Sequence, residues 1–372
     1  MSARLCRCGF TLVELLVSLA IGSLLIIGVV QVYSRGHAAY TVNENVARLQ
    51  ESARFALAVL EPDIELAGYY GYTSTADAIR FVSGTEPGIV HALAAQLRQP
   101  AATAASLPLA QLPASAHQCG SNFAVDVLVP VQGADDHYAL GPARTGCNPY
   151  GAGAVPGADT LTIRRVGTAG AAPEAGRLQL YASRLHSQSA QLLFADGHAP
   201  GPLDDDHDVR DLVVRAYYLS RDSVERPGFP ALRVKSLTTV SGSAQFVDSE
   251  VMPGIEDLQV EFGIDTGDYD GDGLADADAD ADAGTDRGGG AVAGASGRAT
   301  RYVSPGFADL ARCQIVAVRV WLRVRADRPE PGFIDDRIYR YAGVDYTPSA
   351  GAAHYRRLLL SRTITLRNAR PR

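Results

Sequence analysis

Three features of the 372-residue sequence predict an α+β chain in which a long N-terminal helix, its first half transmembrane, packs on a largely antiparallel β-sheet head. The first is an apolar run that opens at Gly9-Phe10-Thr11-Leu12-Val13-Glu14 and reaches about Tyr33, with no charged residue from Leu15 to Val32. The second is a stripe of Val42, Val46, Leu49, Ala53, Ala56 and Leu60 at alternating four- and three-residue spacing, which is one face of an amphipathic helix. The third is a series of short β-prone runs in the remainder, separated by Gly, Pro and Asp clusters and never alternating with helices as a parallel sheet would demand.

The first nine residues contain Arg4 and Arg7 and no acid. The oddity of the apolar run is Glu14, because a carboxylate inside a membrane helix costs roughly 2.5–3.5 kcal/mol on insertion scales and calls for a partner. A cut after Gly9 would create one, the α-amino group of Phe10, offered within the subunit or by a neighbour. A secretory signal or signal anchor also joins a basic start to an apolar run, but its apolar region is about 7–15 residues long and has no acid at its head. Cys6 and Cys8 precede the run and would leave with the leader.

Residues 10–68 read as one helix span roughly 85–90 Å at 1.5 Å per residue. The segment at about 10–33 lies in the membrane, and the later stripe lies on the head. Pro62 removes a backbone donor and predicts a kink or break near Glu61, and Gly68 reads as the stop. Tyr69 to about Gln118 is rich in Ala, Pro and Ser and predicts short elements and loops. Strands are then expected at Phe123 to Val131, Asp159 to Val166, Arg177 to Ala182, Gln191 to Ala195 and Leu212 to Leu219. Leu258, Val260, Phe262 and Ile264 alternate with polar residues or glycine, as do Val316, Val318, Val320, Leu322 and Val324 with Arg319, Trp321, Arg323 and Arg325 between them. A last strand is expected over Leu358 to Leu366. Tyr217, Tyr218, Tyr339 and Tyr341 are expected to cover the sheet.

Gly9-Phe10 followed by Thr11-Leu12-x-Glu14 resembles the processing site of type IV prepilins. The runs Ile255 to Asp265, Val316 to Leu322 and Leu358 to Asn368 are similar to the C-terminal half of PilW-type minor pilins, as is the stretch from Arg48 to Leu57 through Ala67-Gly68-Tyr69. The resemblance implies a type IV pilin-like fold with a cleaved leader at 1–9, the long helix at 10–68, and a β-rich periplasmic or extracellular head at 69–372. Prepilin peptidase would cut between Gly9 and Phe10, Phe10 would be N-methylated, and Glu14 would guide assembly. It further implies a minor pilin that starts pilus assembly in a tip or priming complex. Its partners would be other minor pilins, the major pilin, the inner-membrane assembly platform and a tip adhesin. The chain would sit in the inner membrane with its N-terminus cytoplasmic, and later in the pilus at the cell surface. The J-type minor pseudopilin of type II secretion resembles the same region and stands as an alternative.

Composition narrows the classes. The net charge of −7 falls to −9 without Arg4 and Arg7, whereas a sequence-independent nucleic-acid binder would be basic, so nucleic acid is not an expected partner. Lys235 is the only lysine among 34 cationic residues, which a codon bias toward Arg, Ala and Gly explains most simply. After processing, Cys119, Cys147 and Cys313 remain in an oxidising compartment. Cys119 and Cys147 enclose one loop-rich segment and are the expected disulfide, although the sequence leaves the other two pairings open.

Asp268, Asp270, Asp272 and Asp276 occupy positions one, three, five and nine of a calcium-type loop, with Gly273 at six for the sharp turn. The twelfth position should bring a bidentate acid and instead holds Ala279. Two readings stand: a calcium ion as the one candidate cofactor, or a solvated acidic linker within a Gly-rich insertion at about 265–300. The first would also fit a membrane-anchored calcium-dependent adhesin. Asp204-Asp205-Asp206-His207-Asp208 reads as a hydrated turn. No His-Glu-x-x-His, Gly-x-Ser-x-Gly or phosphate-loop motif occurs, so catalysis is not expected.

Overall fold

The computed structural model of the chain describes residues 11–73, 76, 79–83, 86–89, 118–119, 122–123, 127–140, 146–184, 191–266, 297–310 and 313–369. Helix α1 (Leu12–Glu65) is continuous over 54 residues, about 80 Å at the usual rise. It starts two residues after the expected residue 10, because Thr11 takes the N-cap. The break expected near Glu61 does not occur. Pro62 falls in the last turn, Leu66 N–H still donates to the Pro62 carbonyl at 3.2 Å, and Leu60 and Ile64 on either side are fully buried. Gly68, at φ 74°, then turns the chain out of the helix.

Among the described residues the chain next forms β1 (Ile79–Ser83), β2 (Glu86–Ile89), β3 (Gln118–Cys119), β4 (Asn122–Phe123), β5 (Val131–Ala134), β6 (Thr160–Val166), β7 (Ala175–Ser183) and β8 (Gln191–Asp196). β9 (His207–Ser220), β10 (Ala231–Val240) and β11 (Ser243–Pro253) follow as a meander. The chain ends through β12 (Ile255–Asp265), β13 (Arg301–Val303), β14 (Gln314–Arg325), β15 (Tyr339–Tyr341), β16 (Val344–Tyr346) and β17 (Arg357–Thr365).

The single sheet expected for the head is divided into two large ones. One runs β11-β10-β9-β7-β8-β1-β2, with β6 also paired to β9 and β5 to β6; the other runs β13-β12-β14-β17. Among the described residues pairing is antiparallel apart from β1 with β8. The strand expected over Phe123 to Val131 is interrupted: Phe123 ends β4, Val131 begins β5, and the described residues 127–130 between them form no strand. Pro130 has no N–H to give a ladder, residues 127–128 are a turn, and β5 begins only at Val131. The β10–β11 hairpin was not legible because its inward side chains are Arg233 and Lys235 facing Asp248 and Glu250 rather than an apolar alternation. Its turn, Ser241-Gly242 at φ 52° and 74°, has the positive angles that a two-residue hairpin needs.

The layers follow from which side of each strand is apolar. Leu49, Ala53, Ala56, Leu57, Leu60 and Ile64 of α1 pack with Leu258, Val260, Phe262 and Ile264 of β12 and Val318, Val320, Leu322 and Val324 of β14. Tyr217 and Leu219 of β9 join this first core, whereas Leu212, Val214 and Ala216 of the same strand enter a second core with Leu178, Leu180, Leu193, Cys119 and Cys147. Alternate residues of a strand point to opposite faces, so β9 is packed on both sides and the larger sheet is a middle layer. The four tyrosines expected to cover the sheet are all buried: Tyr217 and Tyr218 lie in β9, and Tyr339 and Tyr341 lie in the separate β15–β16 hairpin, with the Tyr341 ring against Trp321 of β14.

Asp159 joins the two sheets. Its N–H donates to the Leu258 carbonyl at 2.9 Å, and its carboxylate accepts from Val260 N–H at 2.7 Å and Asp136 N–H at 2.8 Å. Burial pushes its pKa up to about 7, opposed by those two bonds and reinforced by Asp135 and Asp136. The folded state therefore holds this proton more tightly than the unfolded chain. The resulting stability is fully present below about pH 3.8 and is lost as pH rises through 7, by up to about 4 kcal/mol. Asp159→Asn should flatten this part of the pH dependence: denaturant midpoints at pH 5 and pH 8 should differ less in the variant than in the parent chain, and an unchanged difference would refute the assignment.

Candidate functional site

The first turn of α1 is closed by a capping box. Thr11 N–H and hydroxyl both donate to Glu14 Oε2 at 2.9 Å, and Glu14 N–H donates to Thr11 Oγ1 at 3.3 Å. Thr11 is thus the partner the structure shows for Glu14. Gly9 and Phe10, the predicted processing pair, lie outside the described residues.

From Leu12 to Val32 the large apolar side chains are 52–75% exposed, and none touches the head. Contiguous apolar surface on this scale marks a membrane or a protein-docking face, and this helix is long and apolar enough to cross a bilayer. Polar side chains within the stretch are satisfied internally: Ser18 Oγ donates to the Glu14 carbonyl at 2.7 Å and Ser23 Oγ to the Ala20 carbonyl at 2.8 Å. Val42 and Val46, expected in the buried stripe, are only half-buried, and continuous burial against the head begins at Leu49.

The second half of α1 is fixed by apolar packing and by one buried acid that the sequence reading passed over. Asp63 is 1% exposed. It accepts from Arg165 Nε at 3.1 Å and Nη2 at 2.8 Å, from Arg215 Nη1 at 2.9 Å and from the Tyr217 hydroxyl at 2.5 Å. Burial first, then the Asp63 carboxylate, pushes the Tyr217 hydroxyl pKa far up, so it remains a donor. A signal for Asp63 was present: it continues the four-and-three spacing of Ala56 and Leu60, which puts an acid on the apolar stripe. Glu61 with Arg362 at 2.8 Å and Glu65 with Arg367 at 2.7 Å flank it near the surface.

The expected disulfide is present between Cys119 and Cys147, both buried in the second core, with Cys313 left as a half-buried thiol just before β14. Asp268, Asp270, Asp272 and Asp276 lie outside the described residues, but the stem of their segment is visible. Asp265, fully buried, accepts from Gly297 N–H at 2.6 Å, and Thr300 N–H donates to the Ile264 carbonyl at 2.8 Å. The insertion therefore leaves and re-enters the sheet at adjoining points. Its eight aspartates and one arginine between Thr266 and Gly297 amount to the whole net charge of −7.

Elsewhere, charged side chains form closed networks. Lys235 Nζ and Arg233 Nε bond Asp248 at 2.7 and 2.6 Å, and burial lowers the Lys235 pKa. Arg357, with no side-chain exposure, bonds Glu256 at 2.7 Å and Asp335 at 3.3 Å. Asp204 of the predicted turn pairs with His207 Nδ1 at 2.5 Å. Among the described residues no three His, Cys, Asp or Glu side chains converge as metal ligands.

Residues 216–368 match the family described as Type IV Pilus-assembly protein W, and residues 4–30 match the prokaryotic N-terminal methylation motif. No curated protein and no solved structure matches the chain. The first match runs from the middle of β9 to just beyond β17, and the second ends inside the exposed apolar half of α1. Together they support a minor-pilin role in a type IV pilus and a membrane-anchored chain, and both belong to structural assembly proteins.

The Asp63 cluster gives a direct stability expectation. Asp63→Ala strands two guanidinium groups and a hydroxyl, and breaking a buried pair from one side costs roughly 3–5 kcal/mol. The lower figure applies because Arg215 is 39% exposed and can resolvate. Arg362→Ala, at a surface pair, should cost less than about 1 kcal/mol. Thermal melts of the detergent-solubilised chain that rank these two variants in the opposite order would refute the assignment.

Proposed function

We propose that the chain is a minor pilin that starts type IV pilus assembly in a tip or priming complex with other minor pilins. Processing between Gly9 and Phe10 would precede its entry into the filament. The observation that carries this reading is the apolar half-helix from Leu12 to Val32, uncovered by its own head and led by Glu14 in the first turn. In lipid that surface is satisfied by acyl chains. In a filament it is satisfied by the equivalent helices of neighbours, so the transfer is between two apolar surroundings and its selectivity falls to the one charged group. The mechanism is assembly, with the head fixed to the helix by Asp63 and the first core.

Glu14→Ala should leave leader removal intact and block incorporation, read as a processed band in membranes with none in sheared pili. Wild-type incorporation of the variant would defeat the reading. Gly9→Val should instead retain the leader, visible as a leader-sized mass difference. A deletion strain that keeps its pili but loses exoprotein release would assign the chain to type II secretion.

For the acidic insertion, the proposal is a weak calcium site at Asp268, Asp270, Asp272 and Asp276, with a dissociation constant of roughly 0.1–1 mM. Millimolar calcium should release heat in calorimetry and raise the melting temperature, with magnesium weaker. No heat and an unmoved melt would leave the segment a solvated linker.

A further inference from the structure

We propose that Glu14 does not lie in the hydrocarbon of the bilayer: the helix is set so that Glu14 meets the headgroups of one leaflet while Tyr33, Arg35 and His37 meet those of the other. This rests on the membrane-anchored reading above and refines it.

Nineteen residues of unbroken helix separate Glu14 from Tyr33, about 28 Å at 1.5 Å per residue. That nearly equals the hydrocarbon thickness of about 30 Å. An α-helix begins with N–H groups that have no partner inside the helix, and such groups are not tolerated against acyl chains. The capping box between Thr11 and Glu14 satisfies part of that end and adds a carboxylate to it. The first turn therefore needs water or headgroups for the backbone's sake as well as for the charge.

The other end bears the residues of an interface. Tyr33 is 72% exposed, and Arg35 and His37 are exposed as well. The Tyr33 and His37 rings lie one turn apart on one side of the helix, with centroids 6.3 Å apart. Aromatic rings with a polar edge collect at headgroup depth, and a guanidinium on a long stem reaches phosphate while its carbons stay in apolar surroundings. The turn from Tyr33 to His37 rises about 6 Å, matching one headgroup layer of about 5–7 Å. Tyr40, also exposed, falls at its outer rim. Between these ends the polar side chains before Gln31 are Ser18 and Ser23, and both bond to carbonyls of their own helix.

The consequence concerns when the acid is desolvated. In the bilayer Glu14 keeps its water, so the membrane state demands no cation beside it. The demand arises when the helix leaves lipid and its first turn is enclosed by other helices. Glu14 then discriminates at that transfer step and not during residence in the membrane.

Nitroxide depth profiling of the full chain tests this in vesicles of phosphatidylethanolamine and phosphatidylglycerol. Cys6, Cys8 and Cys313 are replaced by serine, the Cys119–Cys147 disulfide is kept, and labels are introduced by Leu12→Cys, Leu16→Cys, Leu24→Cys, Tyr33→Cys and His37→Cys. These positions are all on the exposed helix, so folding of the head is not at stake. Labels at 12 and 33 should show similar headgroup-level collision with a water-soluble nickel complex, 24 should be deepest, and 37 should be the most aqueous. Glu14→Gln should leave the profile unmoved. A depth maximum at 12 or 16, or a shift of the whole profile inward with Glu14→Gln, would overturn the placement. An aqueous profile at every position would overturn the anchor reading itself.

Discussion

A helix of about 80 Å that buries only its second half against its own head must find cover for the first half elsewhere. From Leu12 to Val32 the large apolar side chains are all more than half exposed, and apolar surface of that extent is not stable in water. Lipid and the helices of other subunits are the two surroundings that satisfy it without new polar chemistry. The organisation of the rest of the chain follows from that constraint. The head cannot wrap the helix, so it meets α1 only from about Leu49 onward, and it must hold a long lever through a short contact.

That hold combines two kinds of interaction with different roles. Apolar packing of Leu57, Leu60 and Ile64 against β12 and β14 is non-directional and would tolerate sliding by a turn. The Asp63 cluster is directional: a single carboxylate reached by Arg165, Arg215 and Tyr217 can be satisfied in only one register of helix on sheet. A buried ion pair is weak evidence of stability, since a well-packed apolar substitute often does as well. Its better attested use is to fix register, and a helix that meets the head only through its second half depends on register more than on added stability.

The parts of this arrangement written in local periodicity were legible. The apolar run, the stripe from Leu49 to Leu60, and the alternation of β12 and β14 each follow from side-chain period against a single core, and all are found. What failed to show was settled by long-range partners. The β10–β11 hairpin hides its register in Arg233, Lys235, Asp248 and Glu250, whose charges cancel only once the strands are paired. Propensity alone makes Pro62 a break, and the burial of Leu60 and Ile64 around the last turn overrides it. The site was legible in the same uneven way. Glu14 is conspicuous as a lone charge in an apolar run, whereas Asp63 looks like an ordinary acid near a helix end until Arg165 and Arg215 arrive from about one hundred and one hundred and fifty residues away.

The matched regions also fall unevenly on the fold, and β9 explains how the unmatched part can coexist with them. The match to the pilus-assembly family begins at residue 216, where Ala216 faces the second core and Tyr217 the first. Beyond that point β12, β13, β14 and β17, with Leu232 of β10, close on α1 through the first core, while Phe246 of β11 enters the second. The chain before residue 216 supplies most of the second core, including both halves of the disulfide, Cys119 in β3 and Cys147 in the loop before β6, and also Val131, Leu161 and Ile163 of the first core. Because β9 is packed on both faces, β7 and β8 build on the far side of the sheet, whereas β6 shares the contact with α1 through Leu161, Ile163 and Arg165. The register of helix on sheet is therefore set jointly: of the Asp63 partners, Tyr217 lies inside the matched region, and Arg165 and Arg215 lie before it.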